Sequence, residues 1–200
     1  MPARRDTPSI YPVREDTLLL ARFAAVPPGT RLLEIGCGNG WASEVAARAG
    51  ARVVATDRNR EALRALSRRA RDAGLMIDCV RTDFAAGLGR FDRVLANPPY
   101  LPTGPGAADL DPGDRLALDG GPDGCRATAA IVADLADHLR PGGVAFLLVS
   151  SLQDRAGLDR ILALWRGSGG GVAPVASRRM EGETLTVLRL DPPDTGRDRD

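Results

Sequence analysis

The chain has 200 residues, a formal net charge of +1 and 44% hydrophobic residues. That length and apolar content predict one domain with a sizeable core, and the near-neutral charge does not favour a nucleic-acid or acidic-substrate binder. The three cysteines lack CxxC spacing, which argues against a disulfide framework or a cysteine zinc site. The lone His138 excludes a catalytic triad or a multi-histidine metal site. No apolar run spans a membrane and residues 1–14 lack a signal-peptide core, so we expect a cytoplasmic protein without a metal.

Apolar runs that alternate with glycine, proline and polar residues predict an alternation of strands and helices. Asp16 or Thr17 is expected to cap the first helix. Residues 101–123 form a long segment rich in Gly, Pro and Asp, and such loops are usually functional. The predicted helices cover residues 18–26, 41–49, 59–73, 127–139 and 154–165. The predicted strands cover residues 31–35, 52–56, 75–81, 91–96, 144–150, 172–179 and 183–190.

This order of elements predicts an α/β fold with a mostly parallel, seven-stranded sheet wound on both faces. The last two strands, joined by Met180-Glu181-Gly182, would form an antiparallel hairpin at the edge of the sheet. We expect residues 1–190 to make a single domain. Residues 191–200 are polar and contain prolines, so we expect a disordered tail there.

The first chemical signal is a glycine-rich turn after the first predicted strand. Gly36, Gly38 and Gly40 follow Glu34, and glycine lets the backbone approach a ligand closely before a helix begins. The dinucleotide fingerprint needs its third glycine one position later, where this chain has Trp41. The spacing therefore fits S-adenosylmethionine (AdoMet) better than NAD. A tight turn without a ligand would use the same glycines.

Acidic residues follow the next two strands. Asp57 ends the second strand, where a carboxylate could accept both hydroxyls of a ribose. Asp83 lies near the end of the third strand and could accept from an adenine amino group. Each of them alone would be an ordinary strand-end acid. Because the carboxyl ends of parallel strands meet in one crevice, Glu34, Asp57 and Asp83 together predict a site for a nucleoside and not for a phosphate, which carboxylates repel.

Asn97-Pro98-Pro99-Tyr100 follows the predicted strand 91–96 and is the central motif of the chain. Two consecutive prolines fix φ and remove two amide donors, which makes the turn stiff. One carboxamide and one aromatic ring on a stiff turn suit the binding of a flat, polar NH2 group. The alternative is a plain turn after a strand, but the prolines and the tyrosine argue against it.

With this motif, the chain resembles the class I AdoMet-dependent methyltransferases, which have a Rossmann-like fold. It most resembles the HemK-type protein-glutamine N5-methyltransferases, in the short branch without a separate N-terminal helical domain. Asn-Pro-Pro-Tyr alone is shared with adenine-N6 and guanine-N2 methyltransferases of nucleic acids. Three further segments support the finer assignment: Tyr11-Pro12-x-x-Glu15-Asp16-Thr17, in which Pro12 is one place early, Ala117-Leu118-Asp119-Gly120-Gly121-Pro122-Asp123-Gly124, and Gly182-Glu183-Thr184-Leu185-Thr186-Val187-Leu188.

The resemblance implies a cofactor site whose residues come from four strand ends and the first helix. The methionine end of AdoMet would lie near Thr17 and Glu34. The ribose would bind to Asp57, and Asp83 with the amide of Phe84 would hold the adenine. For Asp16, a plain helix cap is an equal alternative. The full set of implied cofactor residues is Thr17, Glu34, Gly36, Gly38, Asp57, Asp83, Phe84 and Asn97.

The implied reaction is methyl transfer to a side-chain amide nitrogen. The hypothesis is that the Asn97 side-chain oxygen and the Pro98 carbonyl each accept one N–H of the acceptor, while Tyr100 packs against its flat amide. Much of the acceleration would then come from orientation. In this family the acceptor is typically the glutamine of a Gly-Gly-Gln motif in a translation release factor.

The resemblance also implies a protein partner. Members of the short branch often need a small zinc-binding activator that pairs with the exposed edge strand of the sheet. Here that edge would be residues 76–80, from Met76 to Val80, and an unpaired edge favours strand addition. An edge covered only by solvent and helices is an equal alternative.

Two other functions stay open. An RNA or DNA methyltransferase would also act on an exocyclic NH2, and the helix 59–73 carries a stripe of arginines. Its opposite side is apolar, so the stripe fits the solvated face of an amphipathic helix, and four Phe, two Tyr and two Trp offer little base stacking. The second open function is that of a non-catalytic protein that keeps only the fold. An intact Asn-Pro-Pro-Tyr with Asp57 and Asp83 argues against it. The stripe consists of Arg60, Arg64, Arg68 and Arg71.

Overall fold

The computed structural model describes residues 10–104 and 112–193, and within them a seven-stranded sheet lies between two layers of helices. In chain order the elements are α1 (Glu15–Ala21), β1 (Arg31–Ile35), α2 (Trp41–Arg48), β2 (Arg52–Asp57), α3 (Arg60–Asp72), β3 (Ile77–Arg81), β4 (Phe91–Ala96), α4 (Pro112–Leu118), α5 (Arg126–Asp134), a 3-10 helix (Leu135–His138), β5 (Leu139–Ser150), α6 (Arg155–Gly167), β6 (Gly171–Met180) and β7 (Glu183–Asp191).

The strand order is β3-β2-β1-β4-β5-β7-β6, and β7 runs antiparallel to both of its neighbours. The remaining pairs are parallel. This confirms the predicted mostly parallel sheet with a C-terminal antiparallel hairpin. The strand order reverses between β1 and β4, and open α/β sheets bind ligands in the crevice at such a switch point.

Alternate residues of the central strands pack on opposite faces of the sheet, as a pleated strand requires. On one face, Leu33 of β1 and Val94 of β4 lie in a core that α5 and α6 complete. On the other face, Leu32 and Leu95 pack with α1 and α2. Because both faces are covered, the later residues of β1 and β4 are mostly apolar, and the other charged residues lie in the first half of each strand. Glu34 of β1 is the exception, a carboxylate buried in the second half.

The sheet register places the ends of three strands at one level. Ile35 of β1 is opposite Thr56 of β2 on one side and Ala96 of β4 on the other. The next residue in each chain segment is therefore Gly36, Asp57 and Asn97. The regular ladder of the sheet thus brings the glycine turn, the ribose candidate and the Asn-Pro-Pro-Tyr motif together.

Several predicted boundaries were wrong. The first helix starts at Glu15 and ends at Ala21, so its N-cap is Arg14 and not Asp16 or Thr17. Thr17 lies in the first turn, where its hydroxyl accepts the Arg14 amide at 3.5 Å. Helix α4 (Pro112–Leu118) forms within the segment predicted as a loop. The predicted helix 127–139 ends at Asp134, and a 3-10 helix follows because the chain must turn tightly into β5.

The strands at the end of the chain also differ from the prediction. Strand β5 begins at Leu139, and residues 141–143, predicted as a turn, belong to it as an irregularity where its register with β4 shifts. Strand β7 extends to Asp191, the first residue of the predicted tail, while residues 194–200 lie outside the described residues. The single-domain assignment stays a prediction. Across residues 10–104 and 112–193, every helix is too short or too polar for a membrane span.

Helix α3 is amphipathic, as its sequence predicts. Its sheet-facing residues include Leu63 and Leu66, which are buried. The arginine stripe on the other side is exposed to solvent. The stripe therefore has the character of an ordinary solvated helix face, and its residues are Arg60, Arg64, Arg68 and Arg71.

Candidate active site

A cleft opens at the carboxyl ends of β1, β2 and β4. It encloses about 1110 Å³ of atom-free space, part of which is open solvent. Its lining combines glycine backbone, carboxylates and aromatic rings, which suits a ligand with apolar and polar parts. The first turn of α1 and the end of α4 close its sides.

The glycine-rich turn forms the floor of the cleft. Gly36, Gly38 and Gly40 have φ values of 68°, 50° and 77°, in the left-handed region that favours glycine. At Gly40 a Cβ atom would lie 2.5 Å from the Leu66 side chain, so packing also requires glycine there. At Gly36 a Cβ would meet no atom within 4 Å, which leaves that stretch of backbone open to a ligand.

Asp57 fixes this turn from the end of β2. One carboxylate oxygen accepts the Gly38 amide at 2.8 Å, and the other accepts the Asn59 amide at 2.7 Å. Burial raises the pKa of Asp57, whereas these amide donors act in the opposite direction. A carboxylate has about four acceptor positions, so the amide donors leave capacity for a ribose hydroxyl. The lining of the cleft includes Asp57.

Glu34 lies at the base of the cleft and is buried. Its carboxylate accepts the backbone amide of Ser43 at 2.8 Å and also the Ser43 hydroxyl. Burial raises the pKa of Glu34 to about 7, and the hydrogen bonds from Ser43 oppose this shift. Glu34 therefore anchors the first turn of α2 to the sheet directly beneath the glycine turn.

The two residues predicted to hold adenine lie in different surroundings. Phe84 lines the cleft, has a φ of 48°, and its carbonyl accepts the Thr56 hydroxyl at 2.7 Å. Backbone in this region is uncommon for residues other than glycine and is often found at functional sites. Asp83 is not among the described residues that line the cleft. Its exposed carboxylate pairs with Arg58 at 3.0 Å. Its adenine role stays a prediction.

Asn97 lines the cleft, and only one end of its carboxamide has a hydrogen-bond partner among the described residues. Its Nδ2 donates to Asp16 Oδ2 at 2.9 Å. Its Oδ1 is buried and, within the part of the chain that the structure describes, has no hydrogen-bond partner. Buried polar atoms are nearly always paired in native proteins. An unpaired acceptor on a residue that lines the cleft is therefore a candidate contact for a ligand N–H.

Two tyrosines stand beside Asn97. Tyr100 is half-buried; burial raises its pKa, and the carboxylates of Asp16 and Glu183 raise it further. Tyr11 donates its hydroxyl to Asp16 Oδ2 at 2.9 Å. Both line the cleft and are neutral at physiological pH, since burial also raises the pKa of Tyr11. They give the acceptor side of the cleft flat, apolar walls.

The segment 117–124 holds the Asn-Pro-Pro-Tyr turn in place by close backbone contact. A Cβ on Gly124 would lie 2.4 Å from the Tyr100 carbonyl oxygen, and one on Gly120 would lie 2.8 Å from that of Pro99. The amide of Gly120 donates to the Leu101 carbonyl at 2.8 Å. These glycines are thus required because backbone packs directly on backbone.

The structure brings most of the predicted site residues into one cleft. All of the predicted catalytic residues line it, and among the predicted cofactor residues only Asp83 lies outside the described lining. The sequence did not predict Tyr11 as a site residue, and it left Asp16 open between a site residue and a helix cap. Both belong to the opening segment 11–17. The lining residues that were predicted are Thr17, Glu34, Gly36, Gly38, Asp57, Phe84, Asn97, Pro98 and Tyr100.

No group of three or more potential metal ligands of the His, Cys, Asp or Glu type occurs within residues 10–104 and 112–193. The polar groups of the cleft are instead carboxylates, amides and phenols. This donor set suits a ligand with hydroxyl, amino and amide groups. It fits AdoMet, since the open backbone at Gly36, the free acceptor positions of Asp57 and the ring of Phe84 match a ribose and an adenine.

Comparison with known proteins gave consistent matches. The family profile of the methyltransferase small domain matches residues 15–108. A protein of Methanocaldococcus jannaschii, provisionally named a protein N5-glutamine methyltransferase, is 35% identical over 147 residues, which are 72% of this chain and 74% of that protein. The release factor glutamine methyltransferase of Moorella thermoacetica is 37% identical over 166 residues, which are 76% of this chain and 59% of that protein.

Among solved structures, the E. cuniculi Mtq2–Trm112 complex, responsible for methylating the translation termination factor eRF1, matches with a TM-score of 0.68 and 25% identity. The match covers 91% of this chain and 98% of that one. A methyltransferase from Pyrococcus furiosus has a TM-score of 0.62 at 19% identity over 86% of this chain and 80% of that one, which shows the shared fold. This chain spans about half of several release factor glutamine methyltransferases that it matches.

Proposed function

This chain belongs to the AdoMet-dependent protein N5-glutamine methyltransferases, and from this we propose that it methylates the side-chain amide of a glutamine in a translation termination factor. The observation that carries the proposal is the buried acceptor Asn97 Oδ1, which has no partner among the described residues and belongs to a residue that lines the cleft with Tyr100. AdoMet, the methyl donor of the family, supplies an electrophilic methyl group on a positively charged sulfur when it is bound.

The cofactor would be held by the strand-end residues. Asp57 would accept the ribose hydroxyls with its remaining lone pairs, and the backbone at Gly36 would lie against the ligand without a side chain between them. Thr17 follows Asp16 in α1, and Glu34 lies at the end of β1 just before the glycine turn. Both would face the methionine end of AdoMet. Phe84 would pack against the adenine, with Asp83 at its rim.

The acceptor nitrogen needs help because an amide lone pair is delocalised into the carbonyl. Asn97 Oδ1 and the Pro98 carbonyl would each accept one N–H of the acceptor. That arrangement fixes the plane of the amide and directs the nitrogen lone pair at the methyl group. Tyr100 would pack against the flat amide. Orientation of this kind can contribute up to about 7–11 kcal/mol to a reaction barrier.

The same contact gives a reason for selecting an amide over an acid. A glutamine offers N–H groups to Asn97 Oδ1, whereas a glutamate side chain offers only oxygens that would face another acceptor. A site built to hydrogen-bond an N–H rejects analogues that lack it by about 10⁴–10⁵-fold. The side chain of Asn97 therefore favours a carboxamide as substrate.

The test is an incorporation assay with methyl-labelled AdoMet. The acceptors are a peptide containing Gly-Gly-Gln, the matched peptide containing Gly-Gly-Glu, total RNA, and no acceptor. We expect label in the Gly-Gly-Gln peptide, at the side-chain nitrogen by mass spectrometry, and none in the matched peptide. Label in RNA alone would contradict the proposed substrate and assign the chain to the nucleic-acid methyltransferases.

A second protein would bind at the edge of the sheet. We propose a small zinc-binding partner, because the neighbouring Mtq2 was solved in complex with Trm112. Among the described strands, β3 pairs with β2 alone, and Met76 at its start is 72% exposed. The partner would add a strand along residues 76–80.

This partner proposal can be tested by mixing the chain with the E. cuniculi Trm112 protein and measuring co-elution by size-exclusion chromatography. We expect a stable complex that a Met76→Asp substitution weakens by at least about tenfold, since a charge would enter the apolar contact. Leu164→Asp, at an equally exposed position on α6, is the matched control. Equal binding by all three forms would contradict the assignment of the edge.

A further inference from the structure

We infer that Asp16 is a positioning residue: its carboxylate sets the orientation of the Asn97 carboxamide so that Oδ1 faces the acceptor. The inference rests on the proposed function, because it concerns methyl transfer to an N–H-bearing acceptor at Asn97. Asp16 is 3% exposed and stands in the first turn of α1, 81 positions from Asn97 in the chain.

Each oxygen of Asp16 has its own set of donors. Oδ1 accepts the backbone amide of Thr17 at 2.6 Å and the Thr17 hydroxyl at 3.3 Å. Oδ2 accepts the Tyr11 hydroxyl and Asn97 Nδ2, each at 2.9 Å. A buried carboxylate with this many donors is fully satisfied as an acceptor. Its position is therefore fixed from two sides, by the backbone of α1 and by the tyrosine.

The consequence for Asn97 follows from the chemistry of the two groups. An ionised carboxylate accepts hydrogen bonds and donates none, so only the NH2 end of a carboxamide can face it. Asn97 Nδ2 therefore turns toward Asp16, and Oδ1 is left buried and without a partner among the described residues. The rotated carboxamide would place oxygen against oxygen at Asp16 and N–H against N–H at the acceptor. Asp16 thus excludes the unproductive rotamer.

The isosteric substitution Asp16→Asn tests this directly. The backbone amide of Thr17 is fixed within the helix, so the oxygen of the new side chain would stay with it, and the new NH2 group would face Asn97. Asn97 would then rotate to offer Oδ1 to that NH2 group and present its own Nδ2 to the acceptor. We expect the single-turnover rate of methyl transfer at saturating AdoMet to fall by about 100-fold, the size of effect found when one polar contact to a reacting group is lost.

Two variants separate positioning from general damage. Glu15→Gln makes the same chemical change one position earlier, at an exposed carboxylate 3.8 Å from Arg178, and should leave the rate unchanged. Tyr11→Phe removes the other donor to Oδ2 but keeps the bond to Asn97, so we expect a loss of less than about tenfold. The thermal midpoint and the AdoMet dissociation constant of each variant are measured alongside.

A double-mutant cycle with Asn97→Ala identifies the route of the effect. If Asp16 acts through Asn97, then Asp16→Asn should cost less than about threefold once Asn97 is already alanine. A purely structural role would give the same loss in both backgrounds. Additive losses would therefore overturn the inference while leaving the proposed substrate intact.

A measurement without turnover keeps the inference independent of the substrate. The side-chain NH2 group of Asn97 is observed by NMR in the wild-type protein and in Asp16→Asn. We expect slow exchange with water and a downfield proton shift in the wild type, both lost in the variant and kept in Glu15→Gln. Fast exchange in the wild type, or no change in the variant, would overturn the inference. Failure of the wild type to methylate the Gly-Gly-Gln peptide would instead overturn the proposed function alone.

Discussion

The two halves of the cleft are built in different ways. The cofactor half comes from the consecutive ends of β1, β2 and β3, within residues 34–84, and the ladder of the sheet sets its geometry. The acceptor half combines Asn97, Tyr11, Asp16 and the segment 117–124, which meet only through tertiary packing. The strand pairing that shapes the cofactor half is little affected by substitutions elsewhere in the chain. The acceptor half needs each of its distant segments in place.

We expect the largest effect from Asn97→Ala, which impairs the acceptor half alone. It removes the unpaired acceptor Oδ1 and leaves the glycine turn and Asp57 in place. We expect turnover on the Gly-Gly-Gln peptide to fall by at least about 10³-fold, because orientation of the amide is lost. The AdoMet dissociation constant, measured by calorimetry, should change by less than about fivefold. Unchanged turnover would contradict the role of Asn97.

A methyl group added at one crowded glycine in each half of the cleft should affect the two halves differently. Gly124→Ala places a Cβ against the Tyr100 carbonyl and requires a φ near 72°, so the Asn-Pro-Pro-Tyr turn must move. We expect turnover to fall by about 100-fold with AdoMet binding retained, since a misplacement near 1 Å costs about that much. Gly40→Ala, crowded by Leu66, should instead weaken AdoMet binding and lower the melting temperature.

Gly167→Ala is the control for both substitutions. Its Cβ would meet no atom within 4 Å, and it lies at the end of α6, away from the cleft. We expect its melting temperature, cofactor affinity and turnover to match the wild type. If Gly124→Ala and Gly40→Ala had the same pattern of losses, the two halves would not be separable.

A smaller effect is expected from Asp57→Asn in the cofactor half. Both oxygens of Asp57 accept backbone amides, so the NH2 group of an asparagine must oppose either Gly38 or Asn59. The glycine turn would shift and the ribose acceptor would be weakened. We expect the AdoMet dissociation constant to rise by about 10–50-fold, which corresponds to the loss of a charged hydrogen bond. The rate at saturating AdoMet should fall by less than about fivefold, which calorimetry and single-turnover kinetics together would show.

The same contrast explains how much the sequence predicts. Hydrophobic periodicity and turn residues predict the mostly parallel sheet, its antiparallel hairpin and the positions of Gly36, Asp57 and Asn97, because these signals are local. The role of Asp16 stayed open because its partner Asn97 is 81 positions away and an acid before an apolar run is also typical of a helix cap. Helix α4 was missed because its segment is rich in Gly, Pro and Asp, which favour turns in the absence of tertiary contacts.

The prediction with the smallest effect on activity concerns pH and the cofactor half. Burial raises the pKa of Glu34 to about 7 in the folded protein, from a usual value of 4.5. Between these two values the folded state binds more protons than the unfolded state, so stability falls as pH rises through this window. We expect a loss of order 1–3 kcal/mol from Glu34 between pH 4.5 and pH 7.5. Urea unfolding should show this slope in the wild type and a smaller one in Glu34→Gln, which keeps an acceptor for Ser43 but does not titrate. The same slope in both proteins would contradict the raised pKa. Turnover at saturating AdoMet should change little, since the Glu34 carboxylate is bonded to Ser43 and not to Asn97.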